Sequence, residues 1–304
     1  MKSPVIHISD ALGRVLRSAV LSGSLAVLGP ALPVVWAAEP GHDAVEVGKN
    51  SALTQWVPAD TLEKSARAQY AQMLMDARSH NALAPADTAQ LQRLRRIAQR
   101  LIPYALPWNE RARDWQWEVN LIGSKQINAF CMPGGKIAFY TGILKQLNLT
   151  DDEIAMVMGH EIAHALREHA RARMAKSELT GLGVNLATQL LGLGVIGQTV
   201  TNYGAQLLTL KFSRSDESEA DLVGMELAAR AGFDPRAGIS LWNKMMAANG
   251  SAPPQWLSTH PSGNTRIADM EARLPKVMPL YVAARKASAS ARDAEVGNPA
   301  PVGQ

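Results

Sequence analysis

The sequence contains one cysteine, Cys131, among 304 residues, so an intrachain disulfide is excluded. Aromatic residues are also scarce at 5%, although hydrophobic residues reach 47%. Much of that share is alanine and leucine, a composition typical of a mainly α-helical protein. We expect Cys131 to be a small core residue, because no base that would activate a thiol nucleophile is evident near it.

Neither sign of charge is in large excess. Lysine and arginine number 31 and aspartate and glutamate 27, which gives a formal net charge of +4. This balance predicts no binding of nucleic acid. The length is sufficient for one large domain with a full hydrophobic core.

Residues 1–38 have the pattern of a secretory signal. Basic residues precede an apolar stretch from residue 19 to residue 36, and the small residues Ala37 and Ala38 follow. We expect cleavage near Ala38 and a periplasmic location. An uncleaved anchor is the alternative, although glycines and prolines make the stretch a poor spanning helix. No cysteine lies near this leader, so the chain is not expected to be a lipoprotein.

The sequence HEIAH at positions 160–164 can form most of a zinc hydrolase site. On a helix, His160 and His164 lie on one face with side chains about 5–6 Å apart, so both can bind one tetrahedral zinc ion. Glu161 is placed to take a proton from a water molecule at that ion. The preceding TDDE sequence at 150–153 is typical of a capping box and predicts where this helix begins.

A third ligand must come from another segment, because position 170, where a metzincin has its third histidine, is alanine. On a continuous helix, His169 is predicted to face away from the histidine pair and to be a polar or capping residue.

A second helix, predicted to begin near the sequence SRSDESEAD, offers two glutamates. Glu217 shares a face with small and apolar residues, which predicts an inward carboxylate. Glu219 falls on the side of Glu226 and Arg230, an i,i+4 pair of the solvated kind. Asp221, one turn after Glu217, can accept the free ring N–H of a zinc-binding histidine. Without the histidine motif, these acids would indicate only a capped, solvated helix.

These motifs resemble a family of zinc endopeptidases that includes the CAAX prenyl protease and the HtpX heat-shock protease. HExxH is followed by SR-x-x-E-x-x-A-D at 213–221, and N-A-F-x-x-P-G-G at 128–135 precedes it. The family's S-T-H-P…R-I segment occurs at 258–267. The resemblance covers residues 60–275, and it points to soluble periplasmic members such as the β-barrel assembly-enhancing protease.

The resemblance implies a gluzincin with His160, His164 and Glu217 as ligands of one Zn²⁺ ion and Glu161 as the general base. We expect His260 to approach the zinc, where it would stabilise the oxyanion or occupy the fourth metal position in a resting state. The alternative is a loop histidine hydrogen-bonded to the backbone.

Three short segments predict a small sheet beside the HExxH helix, at 115–121, 127–131 and 136–140. An extended peptide can add to the edge of such a sheet, and Asn128, Ala129 and Phe130 are the candidate edge. An ordinary internal hairpin is the alternative. Arg266 is a further candidate for substrate binding, because it would support either the His260 loop or the charge of the transition state.

The run from 179 to 210 contains no charged residue. A single membrane crossing there would separate His164 from Glu217, and two crossings need roughly 40 residues. We therefore predict a helical pair that covers the site or touches a membrane or substrate.

The expected fold is α+β and mainly α-helical, with a zincin-like catalytic domain at 60–275 and a small sheet packed beside the HExxH helix. Residues 39–59 are predicted to be irregular and 276–304 to be a disordered tail.

The predicted function is that of a metalloendopeptidase that cleaves unfolded or misassembled envelope proteins, bound as extended strands, in periplasmic quality control. Contact with a membrane surface or with the outer-membrane assembly machinery is a possible partnership. A zinc-stabilised, chaperone-like binding module without proteolysis is the main alternative. A membrane-anchored protease that acts on lipids or prenylated tails is a third.

Overall fold

The computed structural model describes residues 44–190, 207, 210–248, 255–261 and 264–296. The predicted signal at 1–38 lies outside these residues, as does most of the uncharged run after residue 190. Among the helices that the structure describes, none has both the length and the apolarity needed to cross a bilayer.

Helices make up most of the described chain. They are α1 (Ala59–Ser79), α2 (Ala89–Leu101), α3 (Thr141–Gln146), α4 (Asp151–Leu166), α5 (His169–Leu190), α6 (Arg214–Arg230), α7 (Ala237–Ala247), α8 (Gln255–Thr259) and α9 (Asn264–Val296). The strands are β1 (Glu118–Ile122), β2 (Ala129–Met132) and β3 (Lys136–Tyr140). This architecture confirms the predicted α+β, mainly helical class.

The three strands form one sheet in the order β1-β3-β2. β1 runs parallel to β3 with Glu118 opposite Lys136, and β2 runs antiparallel to β3 with Ala129 opposite Phe139. In the described sheet β2 is therefore an edge strand, as predicted. A Cβ on Gly135, in the turn between β2 and β3, would lie 2.7 Å from the Trp117 ring, so this position requires glycine.

Helix α4 begins with the predicted capping box. The Thr150 hydroxyl accepts from the Glu153 amide at 3.2 Å, and the Glu153 carboxylate accepts from the Thr150 amide at 2.8 Å. Residues 153–166 are all buried, so the histidine motif lies on a core helix. Lys244 and Ser240 of α7 also bond to Glu153, at 2.7 and 2.8 Å, and tie the start of α4 to its neighbour.

Helices α4 and α6 cross at two glycines. A Cβ built on Gly224 would lie 2.7 Å from the His160 nitrogen and 2.9 Å from the Gly159 carbonyl carbon. A Cβ on Gly159 would lie 2.9 Å from the Gly224 oxygen. Only residues without a Cβ permit this approach, which brings the backbone of the HExxH helix against the helix that carries Glu217.

The helix that contains HExxH ends earlier than the sequence suggested. α4 stops at Leu166, and Glu168 adopts a left-handed backbone with φ 55° before α5 begins at His169. The Arg167 amide donates to the Ala163 oxygen at the end of α4. The chain therefore changes direction directly after the motif.

The prediction of a disordered tail from residue 276 is wrong for the part that the structure describes. α9 continues through Pro275 and Pro279 to Val296, while 297–304 lie outside the described residues. Val277 is fully buried, and Leu274, Leu280 and Tyr281 pack against the core. These apolar contacts hold the helix across the prolines, and the alanine-rich remainder favours helix by intrinsic propensity.

Candidate metal centre

Four buried side chains converge where α4 and α6 cross. They are His160 and His164 of α4, Glu217 of α6, and His260, which follows α8. One ligand atom from each lies within 4.8 Å of all the others. His160 Nε2 lies 3.0 Å from His164 Nε2 and 3.3 Å from His260 Nδ1. Glu217 Oε1 lies 3.0 Å from His260 Nδ1 and 3.4 Å from His164 Nε2.

These spacings fit one zinc ion. Bonds of about 2.0–2.1 Å in a tetrahedral site separate neighbouring ligand atoms by roughly 3.3 Å. Four separations between ligand atoms, from 3.0 to 3.4 Å, are close to that value. Two or three imidazoles and one carboxylate are also a ligand set typical of zinc.

The protonation states suit a cation. Burial alone would raise the pKa of Glu217, but hydrogen bonds with His164 and His260 outweigh it and hold the pKa below its ordinary value. Burial lowers the pKa of His164 well below its ordinary value. Both shifts favour an ionised carboxylate and a neutral imidazole, which are the forms that bind metal.

Asp221 and Arg266 support the cluster from behind. Asp221 Oδ1 lies 2.9 Å from His160 Nδ1, the contact expected for an acceptor of the ring N–H. Arg266 donates to both oxygens of Asp221, at 2.6 and 2.7 Å. Its Nη1 also lies 2.7 Å from Glu217 Oε2, an ion pair outside hydrogen-bond geometry.

Arg266 is only 2% exposed, its guanidinium stacks on the Trp242 ring, and it donates to the Pro261 oxygen at 3.2 Å. The assignment of Arg266 to substrate binding stays a prediction. Of the two alternatives open from the sequence, the contacts favour support of the loop that carries His260. The sequence could not distinguish them, because the partners of Arg266 lie on other helices.

Glu161 lies beside the cluster and is held by a tryptophan. Trp256 Nε1 donates to Glu161 Oε1 at 2.7 Å, and His260 Nε2 lies 3.6 Å from the same oxygen. The Trp256 ring stacks on His260, with centroids 4.8 Å apart and planes at 22°. Trp256 was not singled out from the sequence. The sequence signal that could have identified Trp256 as a site residue is its position four residues before His260.

Residues 88–274 match the sequence profile of Peptidase family M48. The chain belongs to Peptidase family M48. Peptidases of this family use zinc, and the cluster of His160, His164, Glu217 and His260 is able to bind one ion.

Several curated proteins are similar to this M48 chain. It is 39% identical over 150 residues to "Mitochondrial metalloendopeptidase OMA1" of Arabidopsis thaliana, covering 49% of this chain and 30% of that protein. It is 38% identical over 166 residues to the protein of that name in Schizosaccharomyces pombe, covering 54% and 48%. It is 32% identical over 173 residues to "Beta-barrel assembly-enhancing protease" of Escherichia coli, covering 53% and 35%. The chain thus spans less than half the length of each of these relatives.

His169 lies against the metal centre, and the prediction that it faces away is wrong. Its Nδ1 is 2.9 Å from His164 Nδ1, and its Nε2 is 3.3 Å from Glu219 Oε2. The prediction assumed one continuous helix, whereas the break at Glu168 turns His169 back towards the motif. Arg167 also bonds to Glu219, which is therefore directed to two partners and not simply to solvent.

Glu226 is fully buried, so its assignment to a solvated pair is wrong. One carboxylate oxygen accepts from the Val45 amide at 3.0 Å, and the other accepts from Arg230 at 2.8 Å. The segment before α1, which includes Val45, covers this side of α6. The spacing of residues within α6 could not predict this contact, because Val45 lies 181 residues away in the sequence.

A cavity connects the cluster to the edge strand. It is lined by Asn128, Ala129, Phe130, Cys131, Met132, Glu161, His164, Phe212 and His260, among others. The three candidate edge residues thus lie on the same cavity as His164 and His260. Phe212, which the sequence analysis missed, stacks on His164 with centroids 4.0 Å apart. Burial raises the pKa of the Cys131 thiol well above its ordinary value, in keeping with an unreactive side chain.

Proposed function

We propose that the protein is a zinc-dependent endopeptidase of the gluzincin type. His160, His164 and Glu217 hold the ion, and Glu161 is the general base. The observation that carries this proposal is the convergence of three buried ligand groups beside a buried, oriented carboxylate. A zinc ion bound there supplies Lewis acidity to the scissile carbonyl.

The protein's own groups manage the proton and the geometry. Trp256 fixes one oxygen of Glu161, so the carboxylate is oriented before substrate arrives. Glu161 then takes a proton from the attacking water and gives it to the leaving amine. Asp221 keeps the proton of His160 on Nδ1 and thus leaves Nε2 free to bind the ion.

In the resting state His260 would supply a fourth donor to an ion held by His160, His164 and Glu217. Its Nδ1, at 3.3 Å from His160 Nε2 and 3.0 Å from Glu217 Oε1, supports this role over that of a loop histidine bonded only to the backbone. With substrate bound, the same ring would instead stabilise the oxyanion.

The substrate binds as an extended strand along β2. Asn128, Ala129 and Phe130 line the cavity that reaches Glu161, and main-chain pairing at a sheet edge accepts many sequences. Such pairing requires an unfolded or misassembled segment. The signal predicted at residues 1–38 and the β-barrel assembly named for the Escherichia coli relative support a role in periplasmic protein quality control, with contact to the outer-membrane assembly machinery.

The test compares the wild type with Glu161→Gln for zinc content and for cleavage of casein. We expect equal zinc content, and we expect cleavage to fall at least about a thousandfold, because a Gln cannot accept the proton. Glu271→Gln, an exposed change on α9, serves as the control and should cleave as the wild type does. Cleavage by Glu161→Gln at the wild-type rate would refute the assignment. Zinc and casein binding by the wild type without cleavage would select the chaperone-like module.

A further inference from the structure

The two histidines of the HExxH motif have different partners on their second ring nitrogen. His160 Nδ1 faces a carboxylate, Asp221 Oδ1, at 2.9 Å. His164 Nδ1 faces another imidazole, His169 Nδ1, at 2.9 Å. His169 is only 5% exposed, so water does not compete freely for this contact. Its far nitrogen, Nε2, lies 3.3 Å from Glu219 Oε2.

Only one of the two facing Nδ1 atoms carries the proton. For His164 to bind an ion through Nε2, its proton must sit on Nδ1 and be donated to His169. A neutral His169 then accepts at Nδ1 and carries its own proton on Nε2, which donates to Glu219. Every hydrogen bond in this direction joins a donor to an acceptor.

With both rings neutral, the opposite direction fails at both ends. If His169 donated to His164, the second proton of His164 would sit on Nε2, the atom that must bind the ion. His169 Nε2 would then present a lone pair to the Glu219 carboxylate at 3.3 Å, with two acceptors facing each other. The charge of Glu219 therefore selects the tautomer of both rings. Arg167 bonds to Glu219 and keeps it in place.

We propose that His169 and Glu219 form a relay that holds His164 in its metal-binding tautomer and raises the affinity of the site for zinc. The inference rests on the proposed metal site. His169 acts as a positioning residue, because it touches a candidate ligand and not the reacting atoms. In this role it does for His164 what Asp221 does for His160.

The experiment measures zinc affinity of the full chain by competition with a chromogenic chelator. Loss of an outer partner of a ligating histidine typically weakens metal binding about 10- to 100-fold, so we expect that loss for His169→Ala. His169→Asn should recover to within about threefold of the wild type, because its amide oxygen can accept from His164 Nδ1. His80→Ala, an exposed histidine at the end of α1, is the matched control and should bind as the wild type does.

A second measurement separates tautomer control from simple structural support. Melting temperatures in excess chelator should be equal for wild type and His169→Ala, while the increase on adding zinc should be smaller for the variant. Wild-type affinity in His169→Ala overturns the relay. Equally weak binding by the Ala and Asn variants, with lower melting temperatures in chelator, also overturns it. If the wild type itself binds no zinc, the proposed function fails; if it binds zinc and only the His169 prediction fails, the relay alone is wrong.

Discussion

Glu161 has one oxygen in a fixed, water-poor environment, where the Trp256 indole donates to Oε1 at 2.7 Å. Both residues are at most 2% exposed. The bond orients a carboxylate that otherwise rotates freely about its last torsion. Orientation of a general base affects turnover more than substrate binding, which makes this contact testable by kinetics.

We expect Trp256→Phe to lower kcat by about tenfold, since a hydrogen bond to a charged group contributes roughly 1.5–3 kcal/mol. KM and zinc content should change by less than about twofold, because the phenyl ring can still stack on His260. Steady-state kinetics on a fluorogenic peptide, designed from a mapped casein cleavage site, measures both constants.

The matched control is Trp115→Phe, which removes another indole–carboxylate bond, from Trp115 Nε1 to Glu63 at 3.0 Å. It should leave kcat unchanged. An unaltered kcat in Trp256→Phe would contradict the positioning of Glu161.

Among single residues, the sequence predicted those whose positions are determined by spacing along one helix. An i,i+4 pair on a helix brings His160 and His164 together whatever surrounds it, and the apolar face of α6 indicated that Glu217 points inward. Trp256 and His169 depend on contacts between segments far apart in sequence or on a helix break. Their partners were therefore not readable from spacing.

At the scale of elements, the crossing of α4 and α6 determines whether the ligands meet. Gly159 and Gly224 let the two backbones touch, and each added Cβ would come within 2.9 Å of the other helix. A displacement of one helix moves Glu217 away from both histidines. The crossing thus couples core packing to metal binding.

Gly224→Ala should destabilise the protein by about 1–3 kcal/mol, the usual cost of overpacking, and should also weaken zinc binding. Urea unfolding measures the first effect and chelator competition the second. Gly48→Ala is the control, because nothing lies within 4 Å of its added Cβ. Wild-type stability and zinc affinity in Gly224→Ala would show that the helices can separate without consequence.

For the molecule as a whole, the metal centre lies inside the main core. Glu217 is fully buried with Glu161 and Asp221 nearby. Among the described residues, Arg266 is the one guanidinium paired with two of these three carboxylates, so the site without an ion concentrates acidic groups in the interior. Burial of such charges is costly unless they are paired or bind a metal. The bound ion is therefore expected to stabilise the fold as well as to serve catalysis.

Removal of zinc should lower the melting temperature by about 5–10 °C. Zinc at about 100 times its dissociation constant contributes roughly 2.7 kcal/mol, and each kcal/mol corresponds to about 2–4 °C in a domain of this size. Melting curves in zinc and in chelator measure the shift, and zinc added back should restore it. Glu161→Gln should show the full shift, whereas Glu217→Ala should show little. Identical curves with and without zinc in the wild type would contradict a structural contribution of the ion.

The sequence alone determined what depends on neighbours within one turn: the capping box of α4, the histidine pair, the Pro-Gly-Gly turn and the mainly helical class. Tertiary structure decided the rest. The left-handed Glu168, the burial of Glu226 and the continuation of α9 past its prolines depend on surfaces supplied by distant segments. Hydrogen bonds within a turn are fixed by chain geometry, whereas burial and long-range pairing exist only after the chain has packed.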